Sequence, residues 1–369
     1  MPSAVVHQDL YLCADGGGTS VNVAVADSAG NILSRGAAGP CNVLTVGYPQ
    51  AVTAILRATS EALAAINMDG SIENVQRRIF KRVWLGLAGI TSKEDEDAFK
   101  PFAMEAFGFE AEEPDRLKVT NDGHLLASPC QSIPHVDSAV VLVAGTGTVG
   151  FSFRKEGANV VCSGISGGWG YLLGDEGSAY SISRLAIRSL LLTSEGPSSH
   201  SPSPSPLLFS LPLCPPSPLA LHTSLLKHFS VSSPSALISA VYRDHSSPLS
   251  PSFLSSEANR KIWIAEACRV VFSYAFGSQG MLDEVSREAA LGIVREASGG
   301  LMETVLRLVR GGVEPTKAAL ALGGGLWRDE GYVKMLVEGL REKAMIFAEV
   351  VVVDEPAEAG VRALVAQDQ

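Results

Sequence analysis

Apolar residues alternate with small or polar ones along "VNVAVAD" (Val21, Val23, Val25), directly after the run "LYLCADGGGTS". Period-two alternation predicts a half-buried strand, and the glycines between the two runs predict a tight turn. A third run, "NILSRG", follows a short polar turn at Gly30, so the segment reads as successive strands. The same order returns from Ala139 in "AVVLVAGTGTVGFSFRKEGANVVCSG", with Gly157 in the second polar turn. Two copies of one strand unit predict an internal duplication, although identity between the copies is low. A further strand-to-glycine junction lies in "AALALGGGLWRDEGY", where Gly323, Gly324 and Gly325 precede a helical segment.

Between the copies the period changes to that of a helix. "YPQAVTAILRATSEALAAI" places Val52, Ile55, Leu56, Leu63 and Ile66 on one helical face. "EDEDAFKPFAMEAFG" reads as an amphipathic helix whose acidic first turn suits the helix dipole. "RVWLGLAG" and "RLKVTND" read as short apolar strands. The order strand, strand, strand, helix, strand, helix, strand repeats loosely after residue 139. It predicts an α/β protein in which helices cover mixed sheets. A chain of 369 residues exceeds one ordinary core, so two domains are expected.

"SEGPSSHSPSPSPLLFSLPLCPPSPLALHTS" breaks the pattern. Proline removes backbone donors and blocks helix, so this stretch reads as an insertion in the second domain rather than a core element. A surface loop without function and a modified or partner-binding linker are both compatible with it.

Composition narrows the function. The net charge of -10 argues against nucleic-acid binding, which needs a basic face. It leaves room for an anionic small molecule, because backbone amides hold phosphate without lysine. The six cysteines form no C-x-x-C pair and several sit in apolar runs, the pattern of a reduced intracellular protein. The N-terminal "MPSAVVHQDL" lacks the signature of a signal peptide, and no stretch has the apolar length of a membrane span. The seven histidines show no metal-hydrolase spacing, and no G-x-S-x-G elbow is present.

The glycine turns are the candidate chemistry. Glycine lets amides approach an anion closely, and threonine adds a hydroxyl donor. "DGGGT" (Asp15, Gly16, Gly17, Gly18, Thr19) and "AGTGT" (Gly145, Thr146, Gly147) therefore read as two phosphate loops, or as two tight hairpins. Neither is a Walker loop or a dinucleotide-binding fingerprint. A carboxylate such as Asp15 repels phosphate directly but can order Mg²⁺ through water. Asp122, at the end of a strand entering a helix, suits either a general base beside a cleft or a helix N-cap, and Asn121 beside it could share those roles. Glu176 and Ser178 read as ordinary helix-start residues.

Taken in order, "DGGGT", "LGLAG", "TND", "AGTGT", "GGWGYLLGDEGSAY" and "LGGGLW" resemble the actin-like ATPase superfamily that includes hexokinases. More narrowly, they resemble the N-acetylglucosamine kinase branch of the BadF/BadG/BcrA/BcrD ATPase family, from about Leu10 to about Val365. The resemblance implies a two-lobed, ribonuclease H-like α/β fold. Each lobe would be a mixed five-stranded sheet flanked by helices, with a nucleotide cleft between the lobes. Residues 1–127 would form the N-terminal lobe, completed by the C-terminal helix 356–369. Residues 128–355 would form the C-terminal lobe, with the Ser/Pro insertion at about 194–220.

The implied reaction is ATP- and Mg²⁺-dependent phosphorylation of N-acetyl-D-glucosamine, or a related amino sugar, at the 6-hydroxyl, in a cytoplasmic enzyme that could be a homodimer. Asp122 would be the base and Asp15 the metal organiser. Gly16, Gly17, Gly18, Thr19, Gly145, Thr146 and Gly147 would hold phosphates, and Gly324 and Gly325 would lie against adenine. Asn42, Gly168, Trp169 and Asp175 would contact the sugar together with Asp122. From their residue types alone, Asn42 is equally a turn residue, Trp169 equally a core side chain and "LGLAGI" equally a buried turn. An activator ATPase for a 2-hydroxyacyl-CoA dehydratase would show paired cysteines at a glycine turn, whereas Cys162 stands alone near "SGISGG". A non-catalytic sugar sensor would keep Asn42 and Asp175 but could lose Asp122.

Overall fold

The computed structural model describes residues 9–157, 159–195, 219–243, 256–277 and 283–369. Two five-stranded sheets organise them. The first contains β1 (Leu10–Gly16), β2 (Val21–Ala26), β3 (Ile32–Ala38), β4 (Phe80–Leu87) and β5 (Leu117–Thr120) in the order β3-β2-β1-β4-β5. The second contains β6 (Ser138–Ala144), β7 (Thr148–Glu156), β8 (Asn159–Gly167), β9 (Ala318–Gly323) and β10 (Glu349–Val353) in the order β10-β9-β6-β7-β8. In each sheet three strands form an antiparallel meander and two more run parallel to the first. The two sheets thus share one topology strand for strand, and the duplication legible in the hairpin units extends across both lobes.

The parallel strands require crossovers, which helices supply. Helix Lys93–Phe107 joins β4 to β5, and helix Glu330–Glu342 joins β9 to β10. Ser92 and Asp95 form a capping box at the start of the former, Asp95 belonging to the acidic first turn expected there. The interior strand β9, "AALALG", is buried throughout, as a strand covered on both faces must be.

Helix Tyr48–Ala65 forms where its period predicts, but its face is rotated from the expected one. Its buried residues are mainly small: Ala51, Ala54, Ala58 and Ala62 with Ile55 and Leu63, while Val52, Leu56 and Ile66 are only half-buried. The cause is close approach to β3. A Cβ on Gly36 would come within 2.0 Å of the Ala58 carbonyl oxygen, so only an alanine stripe lets the helix sit that near.

The C-terminal helix Pro356–Ala366 returns to the first sheet, burying Val361 and Leu364 among Tyr11, Cys13 and Trp84. Glu358 pairs with Arg35 of β3, and Tyr11 donates to Asp368 at 2.9 Å. The short helix Gly123–Ala127 lies where the sheets meet. Leu125 joins the Cys13–Trp84 cluster, and the next residue, Leu126, joins Val141, Phe151 and Ala321 of the second sheet. Residues 196–218 of the Ser/Pro-rich insertion, with Cys214, lie outside the described residues. The other cysteines are free thiols, four of them buried. Among the described residues, no helix is long and apolar enough to cross a membrane.

Candidate active site

β1 carries Asp15 at its end, in register with Asn22 of β2 and Gly86 of β4. Beyond it the chain turns on glycine because the space on one side is already filled. A Cβ on Gly16 would meet Leu87 at 2.6 Å and the Cys41 Sγ at 3.0 Å. Gly17 closes the turn by donating its N–H to the Ser20 carbonyl at 2.8 Å, while a Cβ on Gly18 would meet only open space.

Asp122 follows β5 and begins helix Gly123–Ala127. Its Oδ1 accepts the Gly123 N–H at 3.0 Å, and Asn121 Oδ1 accepts the same N–H at 2.9 Å. Asp122 thus caps the helix that it begins, one of the two roles its residue type allows. Asn121 Nδ2 donates to the Ile90 carbonyl at 2.9 Å, tying Asp122 to the "LGLAGI" turn. Asn42 caps the short helix Val43–Val46 by accepting the Leu44 N–H at 3.0 Å. A Cβ on Gly89 would stand 2.7 Å from the Asn42 Oδ1. Asn42, the 87–90 turn, Asn121 and Asp122 therefore form one continuous patch.

The two aspartates share an electrostatic neighbourhood. Burial, then the negative charges of Asp122 and Glu355, push the Asp15 carboxyl from 3.8 up to about 7. Burial also raises the Asp122 carboxyl, against the opposing pull of the Gly123 N–H. Glu355, just ahead of the C-terminal helix, was not legible as a site residue, because its approach to Asp15 is a product of that helix's docking.

The second glycine loop is braced from behind. Thr148 donates its N–H to Asp175 Oδ1 at 3.1 Å and its hydroxyl to the Glu176 carbonyl at 3.1 Å. A Cβ on Gly147 would lie 2.6 Å from Asp175 Oδ2, so glycine is required for this close approach. Gly168 donates its N–H to the Thr148 carbonyl at 3.1 Å. Asp175, expected to face sugar, is 5% exposed and also pairs with Lys261 at 3.2 Å. Trp169 is 63% exposed and lies beside Gly174, which removes the core-packing reading. Ser178 Oγ accepts the Ser181 N–H, the capping expected of it.

A cavity of about 580 Å³ opens beside this loop, lined by Gly145, Thr146, Ile262, Arg269, Phe272 and Gly325 among others. A Cβ on Gly145 or Gly325 would project into open space. Gly324 serves differently: at φ +101° it lies against Ala144, where a Cβ would sit 2.5 Å from the carbonyl oxygen. The structure thus joins Gly145, Thr146 and Gly325 in one cavity and keeps Gly324 behind its wall. Ile262, Arg269 and Phe272 were missed from sequence, since their segment carries only an ordinary helical pattern.

A profile of the BadF/BadG/BcrA/BcrD ATPase family matches residues 13–361. The chain belongs to that family. It is 29% identical over 187 residues to the N-acetyl-D-glucosamine kinase of Dictyostelium discoideum, covering 50% of this chain and 55% of the relative. It is 25% identical over 178 residues to the N-acetylmuramic acid/N-acetylglucosamine kinase of Clostridium acetobutylicum, covering 48% and 52%. The chain therefore spans about half the length of the curated relatives it matches. A solved structure from Porphyromonas gingivalis, described only as a candidate N-acetylglucosamine kinase, superposes with a TM-score of 0.61 at 19% identity, covering 97% of this chain and 100% of that one. At that identity the superposition establishes the two-lobed α/β fold of this ATPase family.

Proposed function

We propose that this chain is an ATP-dependent kinase that transfers the γ-phosphoryl group to the 6-hydroxyl of N-acetyl-D-glucosamine or a close amino-sugar relative. The observation that carries the reading is the placement of Asp122. Its carboxylate caps helix Gly123–Ala127, next to Asn121, which is tied to the Ile90 turn, and lies within the electrostatic reach of Asp15. Phosphoryl transfer asks for this combination of an acceptor-side base, a metal-side carboxylate and backbone donors for phosphate.

In this reading the nucleoside occupies the cavity beside Gly145 and Gly325, and its phosphates run along Thr146 and Gly147 toward Gly16–Thr19. Asn42 and Asp175, with Gly168 and Trp169, hold the sugar so that its O6 points at the γ-phosphorus. Asp122 accepts the O6 proton as the O6–P bond forms, and the bond to the β-phosphate oxygen breaks to release ADP. The lobe of residues 1–127 with 356–369 and the lobe of 128–355 close on both substrates and exclude water.

The acidic end of the cleft fits Mg²⁺. Asp15 is destabilised as an anion by burial and then by the neighbouring charges of Asp122 and Glu355, and a divalent cation would offset both. Among the described residues no cluster of three or more metal-ligating side chains forms a complete cage. Mg²⁺ takes one or two carboxylates and completes its shell with water and phosphate. When bound, Mg²⁺ neutralises charge on the phosphates. The free cysteines and the ATP requirement fit a cytoplasmic setting.

The test is an ADP-release assay over a panel of hexoses and hexosamines, run with Asp122→Asn in parallel. Turnover should depend on N-acetylglucosamine and fall about 10²–10⁴-fold in the variant, while calorimetry still detects sugar binding. Sugar-independent ATP hydrolysis that survives Asp122→Asn points to an activator ATPase instead. Sugar binding without any turnover points to a sensor.

A further inference from the structure

Asp175 is held in an arrangement that the reaction just described does not explain. It adopts φ +60°, a left-handed backbone conformation that costs a side-chain-bearing residue energy and persists only where surroundings enforce it. Its two oxygens are divided between Thr148 N–H, at 3.1 Å, and Lys261 Nζ, at 3.2 Å. The carboxylate side chain is 4% exposed and the lysine 24%. A pair this withdrawn from water is not an incidental surface bridge, since removing one partner strands a buried charge.

Lys261 lies on helix Ser256–Ala265, and its neighbours Ile262 and Ala265 line the 580 Å³ cavity. The same helix is tied a second time to the 168–177 segment, by Tyr171 donating to Glu257 at 2.5 Å. The connections close a ring: cavity wall, Lys261, Asp175, Thr148, the Gly145–Thr146 loop, and the cavity again.

We propose that Lys261 is a positioning residue that couples the amino-sugar site to the nucleotide cavity; the inference rests on the kinase reading above. A sugar hydroxyl that donates to Asp175 shares its oxygens with Lys261 and Thr148. It thereby sets both the helix forming one wall of the cavity and the loop forming another. A nucleotide packed against Ile262 and Ala265 fixes the same helix and presents Asp175 ready for the sugar. Linkage makes the effect reciprocal.

The experiment is titration calorimetry of N-acetylglucosamine and a non-hydrolysable ATP analogue, each alone and each in the presence of the other. In the wild-type chain each ligand should tighten the other by the same factor, about fivefold or more. In Lys261→Met that factor should fall toward one, with the affinity for the analogue alone changed less than about threefold. In turnover the loss should appear in the KM for sugar, measured at limiting nucleotide, more than in kcat. Lys261→Arg should restore part of the coupling. Lys261→Gln keeps a donor without the charge and should give an intermediate factor; it decides the matter if the methionine variant does not fold. Undiminished coupling in folded Lys261→Met or Lys261→Gln overturns the role of Lys261 and leaves the kinase reading standing. So does a wild-type chain that binds both ligands independently. A wild-type chain that binds no amino sugar overturns the kinase reading and this inference together.

Discussion

Replacing Asp15 with asparagine should make the metal-free protein more stable while abolishing its turnover. The structure raises the Asp15 carboxyl from 3.8 to about 7 through burial and the nearby charges of Asp122 and Glu355. A shift of about three pH units corresponds to about 4 kcal/mol. Part of the side chain remains open to solvent, so screening reduces the realised figure to about 2 kcal/mol. The direction follows from proton binding. Below about pH 4 both the folded and the unfolded chain carry a protonated Asp15, and the residue costs nothing. Between about 4 and 7 the unfolded chain releases the proton while the folded chain keeps it, so wild-type stability falls as pH rises. Above about 7 both forms are ionised and the penalty is constant. Asparagine has nearly the same shape and no charge, so its advantage over wild type should open through that window and level off above it. Urea unfolding with EDTA present, at intervals from pH 5 to pH 8, reads the gap directly. A gap that stays flat over this range, or that narrows as pH rises, refutes the electrostatic reasoning for Asp15.

Two adjacent glycines should respond in opposite ways. Gly324→Ala drives a Cβ to 2.5 Å from the Ala144 carbonyl oxygen at φ +101°, and should cost about 1–3 kcal/mol in urea unfolding. Gly325→Ala points into open space and should leave unfolding unchanged within about 0.5 kcal/mol, yet weaken ATP-analogue binding in calorimetry by intruding on the cavity. Leu364→Ala, in the C-terminal helix, empties a fully buried position of the first lobe and should cost about 2–5 kcal/mol. Retention of wild-type stability in that variant would show that the helix does not complete the lobe.

Much of the architecture was written in local pattern. The meanders β1–β3 and β6–β8 were legible because strand alternation and glycine turns act between near neighbours, where no long-range partner can override them. The acidic first turn of helix Lys93–Phe107 and the serine cap at Ser178 were legible for the same reason. The burial of helix Tyr48–Ala65 was not, because which face turns inward depends on how closely Gly36 lets the helix approach.

In the site, residue type and order named the aspartates and glycine loops, and the family resemblance joined them into one reaction. Position along the chain could not say that Asn121 and Asp122 both accept the Gly123 N–H. Nor could it say that Asp175 turns inward to Lys261, 86 residues away, or that Gly324 and Gly325 face opposite surroundings. Those outcomes depend on contacts between segments far apart in the chain, whose geometry exists only once both sheets and the returning C-terminal helix have packed. Local preference selects strands, turns and caps; the distances between carboxylates, amides and charges are set by packing that no short window of residues contains.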